Sequence, residues 1–185
     1  MESCITFKNL SIGYRPKHQL WVIASAVSAS LHPGELTCLI GANGVGKSTL
    51  LRTLCGFQPA LDGEILLQDQ PLSAYPAQQL ARQIGVVLTS RIDVPQLSVK
   101  EIVGIGRSPY TNFWGTLTPA DQQIVDEAIH QVGIGHLAQR NISELSDGER
   151  QKTMIAKALA QQTRIIILDE PTAFLDFPLS LIHIS

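Results

Sequence analysis

The nine residues Gly41-Ala42-Asn43-Gly44-Val45-Gly46-Lys47-Ser48-Thr49 fit the pattern G-x-x-x-x-G-K-[ST] and directly follow the apolar run Leu36 to Ile40. Few local structures accommodate that order: a strand, a tight glycine-rich turn whose N–H groups point inward, then a helix with its positive dipole end on the same spot. Such a concavity suits an anion. Lys47 is placed to reach β- and γ-phosphates, and the Ser48 hydroxyl to ligate Mg²⁺. The pattern therefore predicts a nucleoside triphosphate with Mg²⁺, cradled by Gly41, Asn43, Gly44, Gly46, Lys47, Ser48 and Thr49. A glycine-rich turn that binds nothing is the competing reading, and the Lys-Ser-Thr ending after an apolar run argues against it.

Bulk properties narrow the function classes. At 185 residues, 44% apolar and 16% charged, the chain reads as one globular domain. A net charge of −2 without a run of Lys or Arg leaves no electrostatic footprint for nucleic acid, so none is expected as a partner. Cys4, Cys38 and Cys55 are odd in number and lack C-x-x-C spacing, and Cys38 falls in an expected buried strand; they read as reduced packing residues. The amino terminus has no basic region followed by an apolar stretch, and no segment approaches the ~18 apolar residues of a membrane span. Any membrane link is then expected to go through a partner.

Along the chain, strand-like runs at Ile5 to Leu10, Val22 to Leu31 and Leu36 to Ile40 alternate with turn residues such as Pro16 and Pro33-Gly34. A helix is expected over Thr49 to Cys55, ended by Gly56, then a strand at Gly63 to Leu67, a short helix at Gln78 to Arg82 and a strand at Ile84 to Leu88. From Arg91 to about Leu145 the pattern turns helical and loop-rich. Thr118-Pro119 opens a segment whose residues Ile124, Val125, Ala128, Ile129 and Val132 share one helix face, most simply a core-packing face. Arg164 to Leu168 is a β-branched run that fits a buried parallel strand.

That run ends in Asp169-Glu170. Ionised carboxylates at the end of a buried strand need a cation or a metal. The carboxyl end of a strand is where an α/β sheet presents ligands, so Asp169 suits the Mg²⁺ shell, and Glu170 is free to polarise an attacking water as general base. Solvated acids at an exposed strand end are the alternative. Further upstream, Ser146 and Glu149 in Leu145-Ser146-Asp147-Gly148-Glu149 have the S-x-x-E spacing of a capping box, opening a helix with Met154, Ile155, Ala158 and Leu159. A helix amino terminus with a Ser hydroxyl and a Gly N–H is also a phosphate-binding device, so capping does not exclude a binding role for Ser146 and Gly148.

The order of cradle, helical insert, capped helix and Asp-Glu strand resembles the ATP-binding subunits of ABC transporters over nearly the whole chain. Gly41 to Thr49 is similar to the Walker A motif, Leu145 to Glu149 to the signature motif, Ile165 to Glu170 to Walker B, and Pro171 to Asp176 to the segment entering the D-loop. Tyr14 falls where the family places an aromatic under adenine, although a packed strand aromatic is its ordinary alternative. The resemblance implies an α/β P-loop NTPase: a RecA-like core with an N-terminal antiparallel β layer (1–90 and 146–178) and a helical subdomain (91–145); the tail 179–185, which does not continue the helix expected after Asp176, reads as non-native. The resemblance also implies a head-to-tail homodimer in which Ser146, Gly148 and Asp176 of one copy approach the ATP held by the other. A membrane permease, a separate substrate-binding protein and a peripheral position on the cytoplasmic side of the membrane go with it.

Ser98 to Tyr110 resembles the segment found in importers of iron–siderophore, haem and cobalamin, while its Gly, Arg and Pro also read as ordinary punctuation. The chain departs from the family pattern in three respects. Thr89 stands where a Q-loop Gln is usual, and a hydroxyl reaches less far than an amide. Asp147 and Glu149 replace a Gly and a Gln in the signature, adding negative charge near a phosphate unless the side chains turn away, as a cap would make Glu149 do. The expected switch His, about thirty residues after Glu170, has no counterpart, since His183 comes too early; with the tail Leu179 to Ser185, which does not continue a helix, this reads as a chain incomplete at its carboxyl end. Two other readings stay open: a soluble ABC ATPase acting on DNA or ribosomes, which a second cassette or a basic surface would favour, and a nucleotide-binding fragment without turnover, which comparing ATP binding with hydrolysis would reveal.

Overall fold

Strand β1 (Ile5–Tyr14) organises the amino-terminal part of the computed structural model, which describes residues 4–16, 19–88 and 96–169. It pairs antiparallel with β2 (Trp21–Leu31) on one side and β3 (Asp62–Leu67) on the other, and β3 pairs with the short β4 (Gln70–Pro71), giving the order β2-β1-β3-β4. Ile5, Phe7, Leu10 and Ile12 are all buried, although the first two are odd-numbered and the last two even. An irregularity between Phe7 and Leu10 explains it, since one extra residue in a strand restores the apolar side chains to the same face. Asn9 takes the left-handed conformation there (φ 48°), and opposite it Gly63 (φ 86°) has no room for a side chain, because a Cβ would lie 2.5 Å from the Asn9 carbonyl oxygen. Helix α1 (Lys47–Leu54) packs on β1 through Thr49, Leu50, Thr53 and Leu54, and Gly56 (φ 73°) follows its end. The short α2 (Ala77–Ala81) lies close to its expected span.

Leu36 to Ile40 departs from expectation. The run forms no strand, and Leu36 and Ile40 are 64% and 91% exposed. Apolar, β-prone residues become a strand only when neighbours satisfy their N–H and C=O groups, and among the described residues no strand pairs with this run. Cys38 is accordingly exposed rather than buried; Cys55 is the buried cysteine.

The described residues divide into two compact units, one up to Leu80 and one from Ala81. In the second, β5 (Ile84–Val87) precedes three helices, α3 (Val99–Ile105), α4 (Pro119–Gln131) and α5 (Asp147–Ala160), and then β6 (Ile165–Leu168). β5 and β6 pair in parallel, from Ile84 with Ile165 to Val87 with Leu168. Ile167 is the buried residue of β6 and its neighbours are half-buried, less than the uniformly apolar sequence suggested; among the described residues its sheet has two strands, β5 and β6. The helices enclose a core of Val99, Ile102, Val103, Val125, Ile129 and Ala156 with their neighbours, so the apolar face of α4 is indeed a packing face. All three helices open with a capping box: Ser98 with Glu101, Thr118 with Asp121, and Ser146 with Glu149.

Arg107 joins the helix ends. Its buried guanidinium bonds Asp121 Oδ1 at 2.9 Å, the Ala160 carbonyl at 2.9 Å and Gln162 Oε1 at 3.0 Å, and lies 4.1 Å from the Tyr110 ring centre. Arg82 covers Tyr110 at 5.0 Å and donates twice to the Pro109 carbonyl. The Arg and Pro of this segment thus have a structural task, fixing the turn after α3 against the carboxyl end of α5.

Candidate functional site

The cradle belongs to the first unit, and its shape comes from glycine. Gly44 (φ 79°) and Gly46 (φ 106°) both occupy left-handed backbone, which costs an L side chain strain. Around Gly44 there is open space. Gly46 is confined as well as left-handed, since a Cβ would lie 2.5 Å from Ile23 Cγ2 on β2. As N-cap of α1, Gly46 brings no side chain to the helix end, and the first turn has no acidic residue. The other three capped helices carry an acid and a capping box at that position. The α1 terminus is therefore electropositive and uncluttered, the condition an anion requires.

Lys47 curls back over the loop, its Nζ donating to the Gly41 carbonyl at 2.8 Å and the Ala42 carbonyl at 3.0 Å. These solvent-facing bonds hold the ammonium beside the loop and are exchangeable for phosphate oxygens. Beneath it, Thr53 Oγ1 donates to the Thr49 carbonyl (2.8 Å), and Gln58 Nε2 donates to Thr53 Oγ1 (3.0 Å), stiffening α1. Tyr14, at the end of β1, shares a 3.2 Å hydrogen bond with Thr49 Oγ1 while its side chain remains partly open to solvent. Of the expected site residues, Tyr14, Gly41, Lys47 and Thr49 are thus drawn together by hydrogen bonds, with Asn43, Gly44, Gly46 and Ser48 in the same loop and first turn.

Ser146, Gly148 and Asp169 belong to the second unit. Asp169 follows β6, is 5% exposed, and donates its N–H to the Val87 carbonyl at 2.9 Å. A carboxylate so enclosed suits a hard cation, and Mg²⁺ typically takes one or two protein oxygens plus phosphates rather than a complete protein cage. Among the described residues there is no group of three or more His, Cys, Asp or Glu side chains that could hold a metal ion. Thr89, Glu170, Asp176, His183 and the tail from Leu179 lie outside the described residues.

At the start of α5 the capping box is complete. Ser146 Oγ donates to Glu149 Oε2 (2.7 Å), Ser146 N–H donates to the same oxygen (2.8 Å), and Glu149 N–H returns a bond to Ser146 Oγ (3.4 Å). These bonds from the hydroxyl and then the N–H, against a small opposing effect of burial and with help from Arg140 and His136, hold the Glu149 carboxyl below its ordinary range. Sequence reasoning missed Arg150, whose Nε donates to the Ile142 carbonyl (3.0 Å) and NH2 to the Ser143 carbonyl (3.1 Å). It anchors the turn that delivers Leu145 and Ser146. An Arg just inside a capped helix was a signal for such a role, but its partners lie eight and seven residues upstream and become visible only in three dimensions. Ile23 was missed for the same reason.

Comparison with known proteins shows the family. The ABC transporter family matches residues 24–173. The chain is 41% identical over 169 residues to an uncharacterized ABC transporter ATP-binding protein of Methanocaldococcus jannaschii, covering 91% of this chain and 57% of that protein. It is 35% identical to the ferric enterobactin transport ATP-binding protein FepC of Escherichia coli, covering 91% of this chain and 61% of that one. Among solved structures, cbiO1 of Clostridium perfringens, part of the ABC transporter complex cbiONQ, superimposes with a TM-score of 0.76 at 29% identity over 95% of this chain and 68% of that one. The chain thus spans about three fifths of the length of these two curated relatives. Glycine-built cradle, lysine over its loop, capped helix α5 and acid-ended strand all fall within the matched residues, and the chain belongs to the ABC transporter family as an ATP-binding domain with the P-loop NTPase fold.

Proposed function

We propose that this chain binds Mg-ATP at the Gly41–Thr49 cradle and that the protein hydrolyses it to drive import of an iron–siderophore, haem or cobalamin-type ligand. The observation that carries the reading is the α1 terminus: left-handed Gly44 and Gly46 lead into a helix without side-chain cap or first-turn acid, with Lys47 Nζ on the loop carbonyls. Lys47 exchanges those carbonyls for phosphate oxygens, and the first-turn N–H groups orient the anion. Ser48 and Asp169 are the proposed protein ligands of Mg²⁺, which when bound neutralises charge on the phosphate oxygens. Tyr14 offers its ring to the adenine, and Glu170 accepts the proton of the attacking water. In a second copy packed head to tail, Ser146, Gly148 and Asp176 face the same nucleotide.

No helix among the described residues is long and apolar enough to cross a membrane. In the proposed assembly, coupling to transport comes from a membrane permease at whose cytoplasmic side the chain sits, with a substrate-binding protein delivering the ligand. The importer assignment is supported by the Ser98–Tyr110 segment and by relatives named for ferric enterobactin and iron(3+)-hydroxamate transport. Fluorescent nucleotide titration tests the core of the reading. Lys47→Ala should weaken Mg-ATP binding by roughly tenfold or more, because charge-assisted bonds to phosphate disappear while the fold loses only two exposed hydrogen bonds. Unchanged affinity in the folded variant would refute it.

A further inference from the structure

The Ser146 hydroxyl has one proton, and in this structure it is already given away. Ser146 Oγ and Ser146 N–H both donate to a single oxygen, Glu149 Oε2, at 2.7 and 2.8 Å. An oxygen of a triphosphate meeting the amino terminus of α5 seeks the same two donors. The carboxylate and the phosphate are both anions, so they exclude each other by charge as well as by hydrogen-bond stoichiometry. We propose that Glu149 is a positioning residue that holds Ser146 back from nucleotide, so that Ser146 engages a phosphate only when the Ser146–Glu149 cap opens.

The surroundings make this opening local. Arg150 ties the preceding turn through the Ile142 and Ser143 carbonyls, independently of the Ser146 side chain, and Leu145 is buried beside them. Rotation of the Glu149 side chain therefore frees Ser146 without moving its backbone. The same reciprocal cap closes α3 and α4, whereas α1, which carries the cradle, has none. The amino terminus of α5 is thus closed by its own acid, and the terminus of α1 is open.

This inference rests on the proposed reading that Ser146 of one copy meets the ATP of another, and its test separates the two. Mg-ATP-dependent self-association of the 185-residue chain is measured by sedimentation velocity, and nucleotide affinity of the monomer by fluorescent titration, for wild type, Glu149→Gln, Glu149→Asp, Ser146→Ala and the Ser146→Ala/Glu149→Gln pair. Far-UV circular dichroism verifies the fold of each. Glu149→Gln should strengthen ATP-dependent association by roughly tenfold, the scale of a hydrogen bond to a charged group, with monomer affinity unchanged. Glu149→Asp, which keeps the charge, should show no gain, and Ser146→Ala should erase it in the double variant. A purely structural cap predicts instead that Glu149→Gln weakens association or leaves it alone. That outcome, a gain that survives Ser146→Ala, or no ATP-dependent association in any variant overturns the proposal. Failure of the wild-type monomer to bind nucleotide overturns the functional reading first, and the proposal with it. Should Glu149→Gln lose its helix content, Ser146→Ala alone decides: unchanged ATP-dependent association would remove Ser146 from the contact and refute the competition.

Discussion

Gly46 is held to glycine by two independent constraints, and substitution can separate them. In Gly46→Ala the new Cβ must be accommodated at φ 106°, where an L residue is strained by about 1–3 kcal/mol, and it meets Ile23 Cγ2 at 2.5 Å, an overpacking worth about 1–3 kcal/mol more. Ile23 Cγ2 branches directly from Cβ on a strand paired to β1, so it cannot swing aside as the tip of a long side chain would. The sum is about 2–6 kcal/mol. Gly44→Ala provides the comparison: its φ of 79° carries the backbone penalty of about 1–2 kcal/mol, but nothing lies within 4 Å of the added methyl. Trimming the obstacle with Ile23→Ala should recover the steric share, giving a coupling of about 1–3 kcal/mol in the double-mutant cycle. Urea unfolding followed by far-UV circular dichroism measures the stabilities, and nucleotide titration reports whether the cradle survives. If Gly46→Ala proved no less stable than Gly44→Ala, or if Ile23→Ala gave no relief, close packing against β2 would not be what confines this position.

Three further outcomes follow from particular contacts. Tyr14→Phe removes the 3.2 Å bond to Thr49 and should cost about 0.5–1.5 kcal/mol of stability with nucleotide affinity nearly intact, whereas Tyr14→Ala should also weaken binding by roughly tenfold if the ring stacks on adenine; equal affinities would leave Tyr14 a packing residue. In α3, Gly104→Ala meets only the tip of Leu117 at 3.2 Å and should stay within about 1 kcal/mol of wild type, while at Gly106 a Cβ strikes the Lys157 carbonyl in the backbone of α5, so Gly106→Ala should lower Tm by roughly 2–12 °C. Acid should loosen the helical unit in a defined direction: Glu101, Asp121 and Glu149 are all held below their ordinary values of 4.5, 3.8 and 4.5, so their contribution is complete above those values and is lost as pH falls through the lowered folded ones. The pH dependence of Tm should therefore flatten in the Ser98→Ala, Thr118→Ala and Ser146→Ala variants, and an unaltered profile would show that the caps do not carry it.

Local signals were legible in the sequence because local physics enforces them. Glycines at fixed offsets before Lys47 could only mean a turn with inward N–H groups, Thr118-Pro119 and Ser146-x-x-Glu149 could only begin helices, and the spacing of Val125, Ala128, Ile129 and Val132 put them on one buried face. Each of these depends on neighbours within about one helical turn, where backbone geometry leaves little choice. Leu36 to Ile40 marks the limit: its composition favours a strand, yet a strand exists only if another chain segment satisfies its backbone, and composition does not contain that partner. Nor could it show that Gly46 abuts Ile23, that Arg107 gathers Asp121, Ala160 and Gln162, or that Arg150 pins the turn before Ser146. The sequence alone determined the chemical kinds of group available and the helices that carry them, because those follow from near neighbours. Which glycine is confined and which arginine is buried were decided by the tertiary structure, because contacts between residues far apart in the chain arise only once packing has brought them together.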